Sequence, residues 1–139
     1  MKTLPLTLAL LAGTASTSGV AATLTDLTSL QWKNRIIVVD ETANPDSAAS
    51  VFERQQAEVQ DRDVVWFVFQ PEQTLTNYSG DLDPALLSNT RERYGLSPGK
   101  VLLIGKDGGV KNRLDALNLE LLFNDIDRMP MRKYEKRDS

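Results

Sequence analysis

The chain has 139 residues, with 16 Lys and Arg against 19 Asp and Glu, and it contains neither His nor Cys. The absence of these two residue types excludes a Ser-His-Asp triad, a Cys nucleophile, a CxxC or peroxidatic redox centre and a disulfide. The mild negative charge argues against a nucleic-acid partner, which usually requires a basic surface. No group of the remaining polar residues specifies a reaction, so the sequence predicts no catalytic residue, no metal site and no cofactor.

The first 22 residues have the pattern of a signal peptide. Lys2 supplies a short positive region, residues 4–12 are apolar, and residues 20–22 are the small side chains of a cleavage site. As a helix, this apolar stretch would extend about 14 Å, well short of a hydrocarbon core of about 30 Å. We therefore expect cleavage near Ala22, a periplasmic or secreted location, no transmembrane segment, and a single domain over residues 23–139.

Three short apolar runs, at residues 36–39, 64–69 and 101–104, predict buried strands. The runs are continuous rather than alternating, and they are rich in β-branched and aromatic residues, which is typical of strands covered on both faces. The turn signal at 107–109, Asp-Gly-Gly, predicts a hairpin that joins the third strand to a fourth at 110–114.

Apolar residues at helical spacing predict three helices. The first follows Asn44-Pro45, which offers a capping side chain and then the residue best tolerated at the first helical position. The second follows Asp83-Pro84 and ends at Gly95, where a left-handed cap is favoured. The last begins after the candidate cap Asn118 and is expected to end at Pro130.

The predicted element order is β-α-β-α-β-β-α. A helical crossover makes the first two strands parallel, and the tight turn makes the last two antiparallel. The compact solution is an α/β fold with one four-stranded mixed sheet flanked by helices, which is the thioredoxin-like arrangement. A small ferredoxin-like α+β sandwich is the alternative, but it would need its second helix after a hairpin.

The segment 94–98, Tyr-Gly-Leu-Ser-Pro, followed by a strand and a hairpin, resembles the second half of thioredoxins and peroxiredoxins. In those proteins a proline, usually cis, precedes the third core strand, so the resemblance implies a cis bond before Pro98. The segment 40–47, where redoxins place their reactive Cys, contains no sulfur. Ser47 cannot replace a thiolate, because its hydroxyl is barely ionised and has no His to activate it. Thiol redox activity is therefore excluded.

Four further segments, 32–35, 103–113, 126–127 and 129–132, together resemble the peroxiredoxin-like DUDES domain, a family whose biochemical function is not established. The resemblance covers nearly all of the chain after the signal peptide, residues 24–137. Members of that family are single exported bacterial proteins and domains of eukaryotic extracellular proteins that contain sushi repeats. The resemblance implies a fold and a location outside the cytoplasm rather than an activity.

The start of the first helix is the candidate binding site. Unpaired N–H groups and the helix dipole favour an anion there, and we expect Arg113, on the fourth strand, to point towards it. Arg113 with Thr42, Asn44, Ser47 and Ser97 would then bind a small anion such as a carboxylate or phosphate.

Structural roles are the alternative for the residues singled out above. Arg113 could simply pair with the acidic residues of segment 40–46. Trp32 could be a binding contact, but we expect it to pack against the core while Arg35 covers its edge. The segment 129–132 could dock a partner or close the core.

The leading functional hypothesis is an exported, thioredoxin-like, non-enzymatic binding module. Its partner would be a small anion or an envelope or extracellular protein. One alternative is an enzyme of unrecognised type that uses Arg113 with polar residues at the start of the first helix. Another is a structural or adhesive extracellular domain.

Overall fold

The computed structural model describes residues 23–138, and a five-stranded sheet lies at its centre. The strands are β1 (Arg35–Asp40), β2 (Val64–Phe69), β3 (Thr74–Thr76), β4 (Val101–Ile104) and β5 (Val110–Leu114). Their order in the sheet is β3-β2-β1-β4-β5; β1 and β2 are parallel, and the other neighbours are antiparallel. The predicted signal peptide lies outside the described residues.

Helices cover both faces of the sheet. They are a 3₁₀ helix (Leu27–Leu30), α1 (Ala48–Arg54), α2 (Gln56–Asp61), α3 (Leu86–Tyr94), α4 (Leu119–Asp127) and α5 (Pro130–Asp138). The apolar residues of α1, α2 and α4 belong to the core on one face, and those of the 3₁₀ helix and α3 belong to the core on the other.

The central strand β1 contributes to both cores, because successive side chains point to opposite faces of a sheet. Ile37 packs with Phe52 and Leu122 on the α1 face, whereas Ile36 packs with Leu86 on the α3 face. Every residue of β1 and of β2 is buried. The predicted strands, covered on both faces, are confirmed.

The predicted α/β class with a mixed sheet is also confirmed, but the sheet has five strands rather than four. The additional strand β3 has the sequence Thr-Leu-Thr, and its residues are only partly buried. It pairs with β2 at the edge of the sheet, where Leu75 lies opposite Val68. A short polar edge strand has no apolar run that would predict it.

The helix boundaries differ most at the first predicted helix. This helix begins at Ala48 rather than directly after Asn44-Pro45, and it is interrupted at Gln55, whose φ and ψ are −109° and 30°. The predicted caps Gly95 and Asn118 are confirmed, whereas the helix predicted directly after Asp83-Pro84 begins at Leu86, with Ala85 as its N-cap. Gly95 has a φ of 74°, and the Asn118 side chain accepts a hydrogen bond from the first turn of α4.

The expected cis bond before Pro98 is wrong: the bond is trans. The Lys100 N–H donates to the Ser97 carbonyl at 3.0 Å, which closes a four-residue turn. Gly99, in the third position of this turn, has a φ of 86°. A proline followed by a glycine with positive φ is typical of a type II turn, so the resemblance to redoxins does not extend to this proline's bond.

Pro130 does not terminate the helical part of the chain. Helix α4 ends at Asp127, and a new helix, α5, begins at Pro130. Proline is tolerated in the first helical turn, where its missing N–H would have no intrahelical partner. The same residue that predicts an end therefore opens the last helix.

Candidate functional site

Two buried carboxylates lie where β1 ends, at the edge on which the sequence placed the candidate site. The side chain of Asp40 is fully buried, and its Oδ2 lies 3.0 Å from Nη2 of Arg91, on α3. Thr42 donates its hydroxyl proton to Asp40 Oδ1 at 2.6 Å and accepts a hydrogen bond from Arg91 at 2.8 Å. The hydrogen-bonding groups of these three side chains are thus paired with one another.

The second carboxylate, that of Glu41, occupies the start of α1. Its Oε1 accepts from the Asp46 N–H at 3.1 Å and from the Gln70 side chain at 3.0 Å. Its Oε2 accepts from the Ala48 N–H at 3.2 Å. The N–H groups expected to hold an external anion are therefore used by a carboxylate of the chain itself. This contact also accounts for a helix start at which Ser47 makes no side-chain cap.

Arg113 lies on the other face of the sheet, so its expected position near the start of α1 is wrong. It is paired in register with Leu102, whose side chain belongs to the α3-side core. Its Nη1 lies 3.4 Å from the place that a Cβ on Gly95 would take. Within the described part of the chain, its guanidinium makes no hydrogen bond or ion pair. The alternative pairing of Arg113 with segment 40–46 is wrong as well, because Arg91 fills that role.

The five predicted site residues therefore do not form one site. Asn44 and Ser47 line a cleft of about 400 Å³ at the end of β1, but the other three residues do not line it. Thr42 is directed to Asp40, Ser97 is exposed in the turn before β4, and Arg113 lies across the sheet. A binding role for these residues stays a prediction.

A larger groove of about 930 Å³ runs between α1–α2 and α4. It shares Val51 and residues 115–117 with the smaller cleft, so the two are continuous. We call this larger feature the α1–α4 groove. Its lining includes the apolar side chains of Val51, Leu117, Leu121 and Phe123 and the charged side chains of Glu58, Arg62, Asp115 and Glu120.

The charged lining of the α1–α4 groove is mainly acidic. Its cation, Arg62, is bound by Glu58 at 2.8 Å and by Asp127 at 2.9 Å, and it lies 4.4 Å above the ring of Phe123. Burial would lower the pKa of Arg62, but these two carboxylates outweigh burial and raise it. Glu120 is exposed and has no ion-pair partner among residues 23–138. Asp115 is paired with Lys100 at 2.5 Å, so Glu120 is the lining carboxylate that has no cation among the described residues. The groove therefore combines apolar side chains with one unpaired carboxylate.

No local sequence pattern indicates this groove, because its walls come from separate segments. The one local signal is Leu121, a large apolar residue that is 37% exposed on α4. An isolated exposed leucine is normal on a protein surface, and only the assembled fold places it beside Val51 and Leu117.

The opposite ends of β1 and β2 carry a cluster of ion pairs. Arg35 is 1% exposed and binds both carboxylate oxygens of Glu135 at 3.1 Å. Lys106 bridges Glu135 at 2.8 Å and Asp63 at 3.0 Å. Trp32 is 64% exposed. The expectation that Trp32 packs against the core while Arg35 covers its edge is therefore wrong, because Arg35 is the buried residue and Trp32 the exposed one.

The segment 129–132 continues this cluster. Arg132 is buried and pairs with Asp61 and Asp127. Met129 packs against the α1-side core, whereas Met131 is 40% exposed. The segment thus closes part of the core through Met129 and anchors α5 through Arg132.

The described residues contain no cluster of three or more side chains suited to binding a metal ion. No helix within residues 23–138 is long and apolar enough to cross a membrane.

Comparisons with known proteins agree with this architecture. A search of curated proteins found no match to the chain. Among solved structures, a reduced 2-Cys peroxiredoxin of Plasmodium vivax is similar, with a TM-score of 0.51 and 12% identity. The similarity covers 79% of this chain and 84% of that chain. At this identity the likeness shows the fold alone and confirms the predicted thioredoxin-like class.

The family comparison is more direct. The family model described as "Domain of unknown function (DUF4174)" matches residues 26–135. The finer resemblance to the DUDES domain stays a prediction. The chain, with its thioredoxin-like fold, belongs to the DUF4174 family.

Proposed function

We propose that this chain is an exported, non-enzymatic interaction module that binds a segment of an envelope or extracellular protein in the α1–α4 groove. The observation that carries the proposal is the groove itself, about 930 Å³ in volume, which is lined by apolar Val51, Leu117 and Leu121 and by the unpaired carboxylate of Glu120. Export rests on the signal-peptide pattern of the first 22 residues.

Catalysis has less support than binding. The chain has no Cys, and the polar side chains at the end of β1 are engaged with one another. The hypothesis of an enzyme using Arg113 needs that residue beside the start of α1, and the two lie on opposite faces of the sheet. A small anion at the start of α1 would compete with Glu41 for the same N–H groups.

The lining of the groove indicates the chemistry of its partner. Val51, Leu117 and Leu121 offer an apolar surface that a peptide's apolar side chains would cover, and such burial is the usual source of affinity. Glu120 lies beside them without a cation, so a Lys or Arg in the peptide would complement it. We therefore expect a segment with apolar and basic residues, and an acidic segment should be repelled.

Selection from a random-peptide display library against the purified chain tests this function. We expect enrichment of sequences that combine apolar residues with Lys or Arg. The Kd of a selected peptide, measured by fluorescence anisotropy, should rise at least about tenfold in Glu120→Lys, because a rim charge is reversed. The matched control is Glu92→Lys, the same charge change on α3 and outside the groove, which should leave the Kd nearly unchanged.

A second variant tests the apolar part of the groove lining. Leu121 is partly exposed, so Leu121→Asp should fold normally, which thermal unfolding would check. We expect it to abolish peptide binding. The proposal fails if no sequence is enriched, or if Glu120→Lys and Glu92→Lys have equal effects. Failure to enrich any peptide would favour a structural or adhesive role.

A further inference from the structure

An exposed aromatic residue, Trp32, has a backbone conformation that bulky residues rarely adopt. Its φ is 70°, in the left-handed region that favours glycine. The residue that ends α3 in this same region, with a φ of 74°, is Gly95. The N–H of Trp32 donates to the Lys106 carbonyl at 2.6 Å, a contact that a glycine would make equally well. The backbone therefore gives no reason for a tryptophan at this position.

Packing in the core does not account for Trp32 either. Its side chain is 64% exposed, whereas the second tryptophan of the chain, Trp66, is buried and stacks on Phe52. Residues held in rare backbone conformations cluster at functional positions. A strained tryptophan whose indole faces solvent therefore points to a contact outside the chain.

Two further exposed apolar side chains lie at the same end of the sheet, on α5. Met131 is 40% exposed and Tyr134 is 61% exposed, and at a spacing of three residues they are neighbours on the surface of that helix. Lys106 connects α5 to Trp32, because its carbonyl accepts from the Trp32 N–H and its ammonium group donates to Glu135 at 2.8 Å. We call these three exposed residues and the two exposed lysines beside them in sequence the Trp32 patch: Trp32, Lys33, Met131, Lys133 and Tyr134.

The charge of the Trp32 patch is positive. Among the described side chains, Lys33 and Lys133 have no ion-pair partner. The neighbouring carboxylates are each paired with another cation: Asp61 with Arg132, Asp63 with Lys106, Asp107 with Lys111, and Glu135 with Arg35. The two free ammonium groups therefore create a local positive charge on a chain whose net charge is −3.

This composition suits a lipid surface better than a protein partner. Tryptophan and tyrosine are enriched where a membrane meets water, and lysines beside them attract anionic headgroups. Protein interfaces, in contrast, are depleted in lysine and bury about 800 Å² on each partner. Shallow insertion into a bilayer needs only a small apolar surface with basic residues around it, which is what the patch provides.

We propose that the Trp32 patch docks this protein on the surface of an anionic lipid bilayer. Trp32, Met131 and Tyr134 insert at the level of the headgroups, while the two lysines contact lipid phosphates. None of the five patch residues lines the α1–α4 groove, so docking is independent of the peptide function proposed above.

Tryptophan fluorescence tests the docking directly, because Trp66 is already buried and a change in emission reports on Trp32. The experiment uses the chain from Thr23, which contains both cores and lacks the apolar stretch 4–12, a segment that would itself bind lipid. We expect a saturable blue shift with vesicles of phosphatidylcholine and phosphatidylglycerol. Binding to phosphatidylcholine alone should be at least about tenfold weaker. No shift with either vesicle, or equal binding to both, would overturn the proposal.

The variant Trp32→Gly separates docking from folding. Because glycine is favoured at a φ of 70°, the Tm should not fall. Binding to the mixed vesicles, measured by co-sedimentation, should weaken at least about tenfold. Unchanged binding would contradict the proposal, and so would a marked fall in Tm, since the side chain would then serve the fold.

A pair of charge reversals tests the basic part of the patch. Lys33→Glu should weaken binding to the mixed vesicles at least about tenfold, because an attractive charge becomes repulsive. The matched control is Arg54→Glu, the same charge change at an exposed position on α1 outside the patch, which should leave binding nearly unchanged. Equal effects of the two variants would contradict docking through the Trp32 patch.

Discussion

Buried charges in this protein are matched across distant parts of the chain. Asp40 at the end of β1 pairs with Arg91 on α3, and Arg35 at the start of β1 pairs with Glu135 on α5. A buried pair adds little net stability compared with apolar residues of the same volume. Removing one partner is costly, however, because the other charge stays buried without compensation.

Two arginines on α3 allow this cost to be measured. Arg91→Ala strands the fully buried carboxylate of Asp40 and should lower the free energy of unfolding by about 3 kcal/mol. Arg93→Ala, two residues further along, removes an exposed partner of Asp26 and should change stability little. Urea denaturation of both variants gives the comparison. Equal losses in the free energy of unfolding would show that the burial of Asp40 does not determine how much the Asp40–Arg91 pair contributes to stability.

The Arg35–Glu135 pair makes a second prediction. Glu135→Ala leaves Arg35 buried without its bidentate partner and should cost about 3–5 kcal/mol. The double variant Arg35→Met with Glu135→Leu removes both charges and should recover most of that loss. Chemical denaturation of the single and double variants tests this, and additive losses would contradict it.

Helix α5 depends on ionic contacts more than on the core. Met131 and Tyr134 are exposed, whereas Arg132 and Glu135 point inward to partners on other elements. Burial alone would raise the pKa of Glu135, but hydrogen bonds from Arg35 and Lys106 outweigh burial and lower it. Burial alone would also raise the pKa of the partly buried Asp127, but hydrogen bonds from Arg62 and Arg132 outweigh burial and lower it.

These lowered pKa values predict how α5 responds to acid. Because Glu135 and Asp127 have lower pKa values in the folded chain, the unfolded chain takes up their protons first. The part of the free energy of unfolding that these two carboxylates contribute is therefore complete above about pH 4.5. It is lost as the pH falls through their pKa values in the folded chain. Hydrogen-exchange protection of α5 should fall before that of β1 and β2. Simultaneous loss of protection in the helix and the sheet would show that α5 is held in another way.

The sequence predicts elements best where burial is continuous along the chain. Strands β1, β2 and β4 are uninterrupted apolar runs, and the caps Gly95 and Asn118 follow from local chemistry. The start of α1 could not be predicted in this way. The carboxylate that fills it, Glu41, is also held by Gln70, which follows β2.

The candidate site was predicted less well than the fold, because its residues depend on sheet register. Strand β5 alternates in burial, and that alternation places Arg113 on the α3 face. The apolar pattern of a short amphipathic strand does not reveal which layer will cover each face. Asp40 and Arg91 are 51 residues apart in sequence, so no local pattern indicates their pairing.

At the scale of the whole molecule, a redoxin-like architecture is present without redoxin chemistry. The sheet and helices are similar to those of a peroxiredoxin, yet the chain contains no Cys. Within the described residues, the segment that corresponds to the reactive-thiol site of redoxins uses its own hydroxyl and N–H groups as donors to the carboxylates of Asp40 and Glu41. A shared fold does not imply a shared function.

The proposed export makes a prediction for the N-terminus of the mature protein. The positive residue, apolar stretch and small residues before Thr23 should direct secretion and cleavage after Ala22. Mass spectrometry of protein recovered from the periplasm or the medium should find an N-terminus at or near Thr23. Recovery from those fractions of a chain that still begins at Met1 would contradict cleavage.

The NMR footprint of a display-selected peptide on the labelled chain tests the central claim, peptide binding in the α1–α4 groove, most directly. The account predicts saturable shifts of amides around Val51, Leu117 and Leu121, with little change at the β4–β5 hairpin or on α3. The same shifts should need at least about tenfold more peptide to reach half-saturation in Glu120→Lys, and no more than in the unaltered chain in Glu92→Lys. A footprint elsewhere on the surface, or equal half-saturation in the two variants, would contradict the claim.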